Sequence, residues 1–102
     1  MTVFLNSVKA RRRLSQYATV KTIRDHQIVD GHHELATGNY KMKKTFALGN
    51  SKFLTIITTK EQLEEHVSES GFATTDEWLA EAVKMHCTLP AYLHEVTLTK
   101  TR

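Results

Sequence analysis

The sequence lacks the features that mark secreted, membrane and multidomain proteins. Cys87 is its only cysteine, so no disulfide can form within the chain, which fits a reducing compartment. The apolar run from Met1 to Asn6 is too short for a signal peptide, and charged residues follow before any membrane-spanning length is reached. The sequence has no repeat, low-complexity tract or interdomain linker. We therefore expect a cytoplasmic protein with no membrane partner.

Acidic residues are absent from the first 24 positions, which hold six basic ones. These are Lys9, Arg11, Arg12, Arg13, Lys21 and Arg24. From position 25 onward the balance reverses to eight Lys and Arg against eleven Asp and Glu. The net charge of +3 is therefore distributed unevenly along the chain, with all of the excess positive charge in the first 24 residues. The local potential of the basic segment would attract phosphate or carboxylate groups. We expect the run Arg11 to Arg13 either to contact phosphates or to form a solvated helix face.

Length and helix signals indicate one helix-containing domain. At 102 residues with 40% apolar content the chain can bury a single core, so we assign residues 1–102 to one domain. Thr59–Gln62 has capping-box spacing and predicts a helix that ends near Glu69. Thr74–Glu77 repeats that spacing and predicts a second helix, which should end before Pro90. The segment from Val3 to Tyr17 predicts a short helix with the basic run on its solvent face.

Strands are predicted where β-branched and aromatic residues run between turn signals. The dipeptides Gly38–Asn39 and Gly49–Asn50 are such turn signals, and Asp25–Thr37 has neither a helical nor a strand period. We therefore expect a long loop over Asp25–Thr37 and a mixed α+β order overall. The predicted strands are Val20–Arg24, Tyr40–Phe46, Phe53–Thr58 and Tyr92–Thr99.

Several short motifs occur in an order that is typical of one known family. They are Thr22–Asp25, the Ala36–Asn39 turn, the Phe53–Ile57 strand, Glu65 and His66 followed by Gly71, Phe72 and Trp78, and the terminal Leu93–Leu98 strand. Together they resemble the ASCH family, small domains of the PUA-like β-barrel class associated with RNA and modified nucleosides. The resemblance implies an α+β fold with a small PUA-like β-barrel of about five to six mixed strands, flanked by two to three helices.

The resemblance is strongest to the small bacterial amidohydrolases that remove acyl groups from N4-acetylcytidine. Their threonine and arginine fall on Thr22 and Arg24, but their lysine and glutamate fall on Thr19 and Ser70. A lysine and a carboxylate would activate a nucleophile and protonate a leaving amine, so their loss argues against catalysis.

Two charged neighbours offer an alternative catalytic set of Lys21, Thr22 and Glu69. Strand alternation should point Lys21 away from the face that carries Thr22 and Arg24. Glu69 should be rotated away from the glutamate position by one helical step. We therefore expect a binding cleft without the residues that would make it an enzyme.

Thr22 and Arg24 are the primary candidates for ligand binding. A guanidinium in the cleft can pair with phosphate or stack on a base, and Thr22 on the same strand face can add a hydroxyl hydrogen bond. The alternatives are a framework arginine that joins the strand to the loop and an ordinary strand threonine.

Lys9 and the run Arg11 to Arg13 are expected to steer an anion towards that cleft. Tyr17 and Tyr40 lie near the two ends of the predicted site region and are candidates for base stacking. The alternative is that both tyrosines are half-buried residues that pack against neighbouring side chains.

The remaining residues of interest predict no metal site and no cofactor. His32 and His33 are adjacent and read as loop residues, and no pair of His or Cys has chelating spacing. His94 alternates with apolar neighbours, which indicates a partly buried, hydrogen-bonded histidine. Trp78 and Phe72 are expected in the core, and Cys87 near it.

The sequence thus predicts a domain that binds RNA, single-stranded nucleic acid, or a nucleoside or nucleotide in a basic cleft. The first alternative is an amidohydrolase that acts on N4-acylated cytidine. The second is an accessory module that binds only protein.

Overall fold

The computed structural model describes residues 1–101 as a mixed β-sheet with helices packed on both of its faces. The elements are β1 (Thr2–Phe4), α1 (Val8–Tyr17), β2 (Thr19–Arg24), β3 (Gly31–Thr37), β4 (Lys44–Ile57), α2 (Lys60–Glu64), a 3-10 helix (Val67–Glu69), α3 (Thr75–Lys84) and β5 (Ala91–Thr101). The predicted α+β class, with about five mixed strands and flanking helices, is confirmed.

The five strands form one curled sheet in the order β1-β3-β4-β5-β2. The β1–β3 pair is parallel and the other three pairs are antiparallel. β1 and β2 are therefore the two edge strands, although they are neighbours along the chain. The sheet curls into a half-barrel, and the Nη1 atom of Arg24 on β2 donates to the Phe4 carbonyl oxygen on β1 over 2.7 Å. We call the gap that this bond spans the seam.

Two apolar clusters cover the two faces of the sheet. Val20 of β2 belongs to the cluster that packs against α1, whereas Ile23 belongs to the cluster that packs against α2 and α3. The two residues are three positions apart, so strand alternation places them on opposite faces. On the neighbouring strand β5, Val96 pairs with Val20 and belongs to the same cluster as Val20. Leu93 pairs with Ile23 and belongs to the other cluster.

The predicted loop over Asp25–Thr37 is wrong for its second half, because Gly31–Thr37 forms β3. This strand lies between β1 and β4 and pairs with both. His33 and Leu35 are buried on one face while His32 is exposed. His33 is therefore a buried strand residue and not a loop residue. Its polar ring in a core position hid the alternation of buried and exposed residues that is typical of a strand.

The predicted turn at Gly49–Asn50 is also wrong, since both residues lie inside the continuous strand β4. A Cβ atom on Gly49 would lie 2.5 Å from the Thr97 carbonyl oxygen and 2.8 Å from Cδ1 of Leu35. The glycine is thus required by the close approach of neighbouring strands, and the register shifts between Leu48 and Gly49.

The helix boundaries follow the capping residues. The predicted capping box at Thr59–Gln62 is confirmed, although α2 stops at Glu64 and the 3-10 helix continues the segment to Glu69. Thr74 caps α3 through the Glu77 amide, 3.1 Å from its hydroxyl, and α3 ends before Pro90 as predicted.

The N-terminal helix begins later than predicted. Residues Thr2–Phe4 pair with β3 as a strand, and α1 starts only after Ser7, whose hydroxyl accepts from the Ala10 amide at 3.3 Å. Among residues 1–101 no helix is long and apolar enough to cross a membrane.

The packing at Gly49 predicts that Gly49→Ala lowers the free energy of unfolding by about 1 to 3 kcal/mol, because the added methyl group overpacks the sheet. Urea denaturation monitored by circular dichroism measures the change. Lys52→Ala, an exposed change on the same strand, should stay within about 0.5 kcal/mol of wild type. Equal stabilities for the two variants would contradict this account of Gly49.

Candidate functional site

A cavity of about 140 Å³ lies beside the seam, along the free edge of β2. Its walls come from the end of β1 and the turn after it, from β2 and the residues that follow it, and from α3 with the turn beyond it. The residues that line it include the aromatic Phe4, Phe72 and Trp78 and the polar Lys21, Thr22, Arg24, Asp25 and Glu81.

Four consecutive residues of β2, from Lys21 to Arg24, line this one cavity. Side chains of a strand alternate between faces, so Lys21 was expected to point away from Thr22 and Arg24. The cavity lies at the edge of the strand, so residues of both strand faces border it. The ammonium group of Lys21 bonds to His66 and Glu69, which do not line the cavity, so the expected divergence of this side chain from Thr22 and Arg24 stays a prediction. An edge strand also carries backbone N–H and C=O groups with no neighbouring strand, so polar backbone groups are available along this wall.

Arg24 is both a framework residue and a lining residue of the cavity. Besides the bond to Phe4 across the seam, its Nε atom lies 3.4 Å from the Thr22 hydroxyl oxygen. These contacts use two of the five N–H groups of the guanidinium. Burial lowers the pKa of Arg24 to about 10, so the side chain still carries its positive charge at neutral pH. The position of Arg24 thus fits a framework arginine and also fits an arginine that lines a binding cleft.

Lys21 belongs to a polar cluster with His66 and Glu69. Its ammonium nitrogen lies 3.0 Å from Nδ1 of His66 and 3.2 Å from a carboxylate oxygen of Glu69. The Lys21 side chain is only 13% exposed, so this ion pair is shielded from water on one side. Glu69, on the 3-10 helix, therefore meets Lys21, but Glu69 and His66 do not line the cavity.

The two positions that the resemblance assigns to lysine and glutamate hold buried framework hydroxyls. Ser70 is fully buried; its hydroxyl donates to the Val67 carbonyl oxygen at 2.6 Å and accepts from the Phe72 amide at 3.0 Å. The Thr19 hydroxyl oxygen is buried with no hydrogen-bond partner among residues 1–101. Neither residue lines the cavity.

The apolar wall of the cavity is formed mainly by aromatic rings. The rings of Phe72 and Trp78 are stacked with centroids 6.4 Å apart and planes 14° from parallel. Both are core residues as predicted, and so is Cys87, whose thiol also borders the cavity. Burial raises the pKa of Cys87, which keeps it a neutral thiol. A ligand here would contact flat apolar surface on one side and charged groups on the other.

The basic run on α1 does not line this cavity. The Nη1 atom of Arg11 donates to the Leu5 carbonyl oxygen at 2.6 Å, and that of Arg13 donates to the Ser68 carbonyl oxygen at 3.0 Å. Lys9 forms an ion pair with Glu77. Arg12 is exposed. Most of this charge therefore holds the protein together and does not face the candidate site.

The two tyrosines proposed for stacking lie in different places. Tyr17 is exposed at the end of α1, and the Arg13 guanidinium lies 3.8 Å from the centre of its ring. Tyr40 is exposed in the connection between β3 and β4, and its ring packs edge-on against Phe4 of the cavity wall. Only Tyr40 adjoins the cavity through a lining residue.

Sequence reasoning missed a set of contacts that holds the loop from Asp25 to Asp30. The Nε2 atom of His94 accepts from the Ile28 amide at 2.9 Å, and Nε2 of His33 donates to the Val29 carbonyl oxygen at 2.6 Å. His94 is hydrogen-bonded as its alternation predicted, but it is fully buried where partial burial was expected. Because Asp25 and His26 line the cavity, these buried histidines position one of its walls. The signal for His33 would have been its period-two spacing with Leu35.

Burial lowers the pKa of His94 from its ordinary value of 6.5 to about 4, and the positive charge of Arg24 adds to the effect. The neutral ring is the form that accepts from Ile28. The unfolded chain therefore takes up this proton at a higher pH than the folded protein does.

Comparison with family models, with curated proteins and with solved structures found no match to this chain. Within residues 1–101, no group of three or more His, Cys, Asp or Glu side chains is placed to hold a metal ion. The resemblance to the ASCH family stays a prediction from sequence.

The pKa of His94 predicts that the free energy of unfolding is fully retained above about pH 6.5 and falls between about pH 6.5 and about pH 4. The loss due to this residue reaches about 3 kcal/mol at most. Urea denaturation at several pH values measures it. His94→Gln, which keeps an acceptor for Ile28 but does not titrate, should reduce the dependence on pH. The exposed change His86→Gln should leave it as in wild type, and equal slopes for His94→Gln and wild type would contradict the prediction.

Proposed function

We propose that the protein binds RNA or a nucleotide by taking one nucleobase into the cavity beside the seam. The observation that carries the proposal is the pairing of an aromatic wall, Phe72 and Trp78, with the charged and hydroxyl groups of Arg24 and Thr22 in one cavity. Nucleobases are flat heterocycles with polar edges, and proteins hold them by stacking and by hydrogen bonds to those edges. The charge of the first 24 residues and the ASCH resemblance support the same ligand class.

The size of the cavity favours a single base. Pockets for drug-sized ligands measure about 300 to 1,000 Å³, whereas this cavity measures about 140 Å³. A sugar and phosphate would then lie outside the cavity, and the positive charge of Arg24 in its wall would attract the phosphate. The unpaired backbone edge of β2 offers further donors and acceptors for the polar edge of the base.

The proposal places the protein in the cytoplasm, where RNA and free nucleotides are abundant. Its one thiol, Cys87, is free and buried, which suits a reducing compartment. The proposed partners are single-stranded RNA, or a free nucleoside or nucleotide, and no cofactor is required for binding.

Trp78 is the single tryptophan of the chain and lines the cavity, so its fluorescence reports binding directly. Titration with uridine, cytidine, their monophosphates and short single-stranded RNA at low salt should give a saturable change for at least one ligand. Thr22→Val removes the hydroxyl with little change of volume and should weaken binding about fivefold, which corresponds to the removal of one hydrogen bond. Thr88→Val, an exposed change, is the matched control. The proposal fails if no ligand in this series gives a saturable signal.

A second candidate, hydrolysis of N4-acylated cytidine, is favoured by the contact of Lys21, a residue of the cavity wall, with Glu69 and His66 behind it. In that reaction water is consumed, the acyl group leaves as a carboxylic acid and cytidine regains its amine. Lys21 and Glu69 would exchange the protons that this requires, in place of the lysine and glutamate missing at positions 19 and 70.

Incubation with N4-acetylcytidine, followed by chromatography for cytidine, separates binding from catalysis. Under the binding proposal the nucleoside quenches Trp78 and is recovered intact. Turnover that is lost in Thr22→Ala and in Lys21→Met, with binding retained, would instead assign the hydrolase activity. Lys52→Met, an exposed change elsewhere on the sheet, controls for the loss of a positive charge.

A further inference from the structure

The connection between β3 and β4, residues 38–43, exposes two large apolar side chains beside unpaired positive charge. Tyr40 and Met42 are 79% and 75% exposed. Lys41 and Lys44 make no ion pair among residues 1–101, whereas Lys43 pairs with Glu34 at 2.6 Å. We call this segment the tip loop. An exposed aromatic ring followed closely in the chain by two unpaired lysines is a combination that single-stranded nucleic acid fits.

The tip loop is held in a defined conformation by its own hydrogen bonds. The side-chain oxygen of Asn39 accepts from the amides of Lys41 and Met42, each at 2.9 Å, and the Asn39 carbonyl oxygen accepts again from Met42 at 3.1 Å. Gly38 has a φ of 92°, and a Cβ atom there would collide with the Met42 carbonyl oxygen. The loop therefore presents Tyr40 without support from a core, at little entropic cost on binding.

Two contacts join the tip loop to the cavity wall. The Asn6 side chain accepts from the Gly38 amide at 2.7 Å and donates to the Gly38 carbonyl oxygen at 3.0 Å. The Tyr40 ring packs on Phe4 with centroids 5.0 Å apart and planes at 84°. Phe4 and Asn6 both line the cavity. The exposed face of Tyr40 is thus one aromatic ring away from the site proposed for a base.

We propose that the tip loop is a second subsite, which holds the base next to the one in the cavity when the ligand is single-stranded nucleic acid. Tyr40 stacks on that base, and Lys41 and Lys44, which are exposed and follow it in the chain, meet the neighbouring phosphates. The inference rests on the proposed function, and it makes a polymer the preferred ligand over a free nucleotide. Stacking on one ring selects no particular sequence, so the subsite adds affinity for any base.

The test compares Tyr40→Ala with wild type on two probes, a nucleoside monophosphate and a pentanucleotide of single-stranded RNA. The Trp78 signal measures the first and fluorescence anisotropy measures the second. Tyr40→Ala should weaken binding of the pentanucleotide about fivefold or more and leave the monophosphate unchanged. Tyr40→Phe should restore the affinity. Tyr17→Ala, which removes an exposed tyrosine far along α1, should change neither probe.

The lysines supply a separate readout. The Lys41→Gln, Lys44→Gln double variant should bind the pentanucleotide with a weaker dependence on salt. The slope of log affinity against log salt should fall in magnitude by about 0.7 for each phosphate that a lysine no longer neutralises. The slope for the monophosphate should not change. Lys52→Gln, also an exposed lysine, should leave the slope as in wild type.

Each outcome decides one of the two proposals. If the monophosphate binds and Tyr40→Ala leaves the pentanucleotide affinity unchanged, the subsite is wrong and the cavity proposal stands. If the monophosphate does not bind but Tyr40→Ala weakens the pentanucleotide, the cavity proposal fails and the tip loop is the site. If Tyr40→Ala instead weakens binding to vesicles of anionic phospholipid and leaves the pentanucleotide unaffected, the tip loop is a membrane contact and the inference is overturned.

Discussion

The hydrogen bond from Arg24 to the Phe4 carbonyl oxygen joins the two open edges of the sheet, and the candidate site depends on it. No strand pairing connects β1 with β2, so this charged bond spans a gap that a closed barrel would fill with a ladder. A hydrogen bond to a charged donor contributes about 1.5 to 3 kcal/mol. The cavity lies where the sheet does not close, and the group that bridges the seam is also the charge that a ligand would meet.

The buried charge of Arg24 also constrains the residues around it. It helps to keep His94 neutral, and the neutral ring can accept from Ile28 and hold the loop that ends near the cavity. The polar groups of the site and the packing of the loop are therefore linked through electrostatics. A change in charge at Arg24 would therefore reach Ile28, in the middle of the loop, through His94.

The sequence predicts correctly those elements that depend on residues close together in the chain. The capping box at Thr59–Gln62 and the cap at Thr74 depend on residues three positions apart, and both helices begin where predicted. Strand β3 and the unbroken β4 depend on neighbours far along the chain. Gly49 has the composition of a turn but is selected by contact with Leu35 and Thr97, which no short window of sequence contains.

The same distinction applies to the candidate site, where only residues close together in the chain were grouped correctly from sequence. Thr22 and Arg24 were found through a motif on one strand, and they do share the cavity. Lys21 lies on the other face of the strand, and alternation alone does not reveal that residues of both faces of an edge strand border one cavity. A count of charges does not show that Arg11 and Arg13 donate to backbone carbonyl oxygens of their own protein, and the contact of this run with phosphates stays a prediction.

The unpaired edge of β2 has a consequence for how copies of the protein behave towards one another. An open strand edge is a template on which a strand from another molecule can add, and natural proteins protect such edges with charged side chains. Lys21 and Glu69, together with Arg24, place charge along this edge. Lys21 and Arg24, which line the cavity, thereby also discourage edge-to-edge aggregation, so replacing them by neutral residues would reduce the solubility of the folded protein.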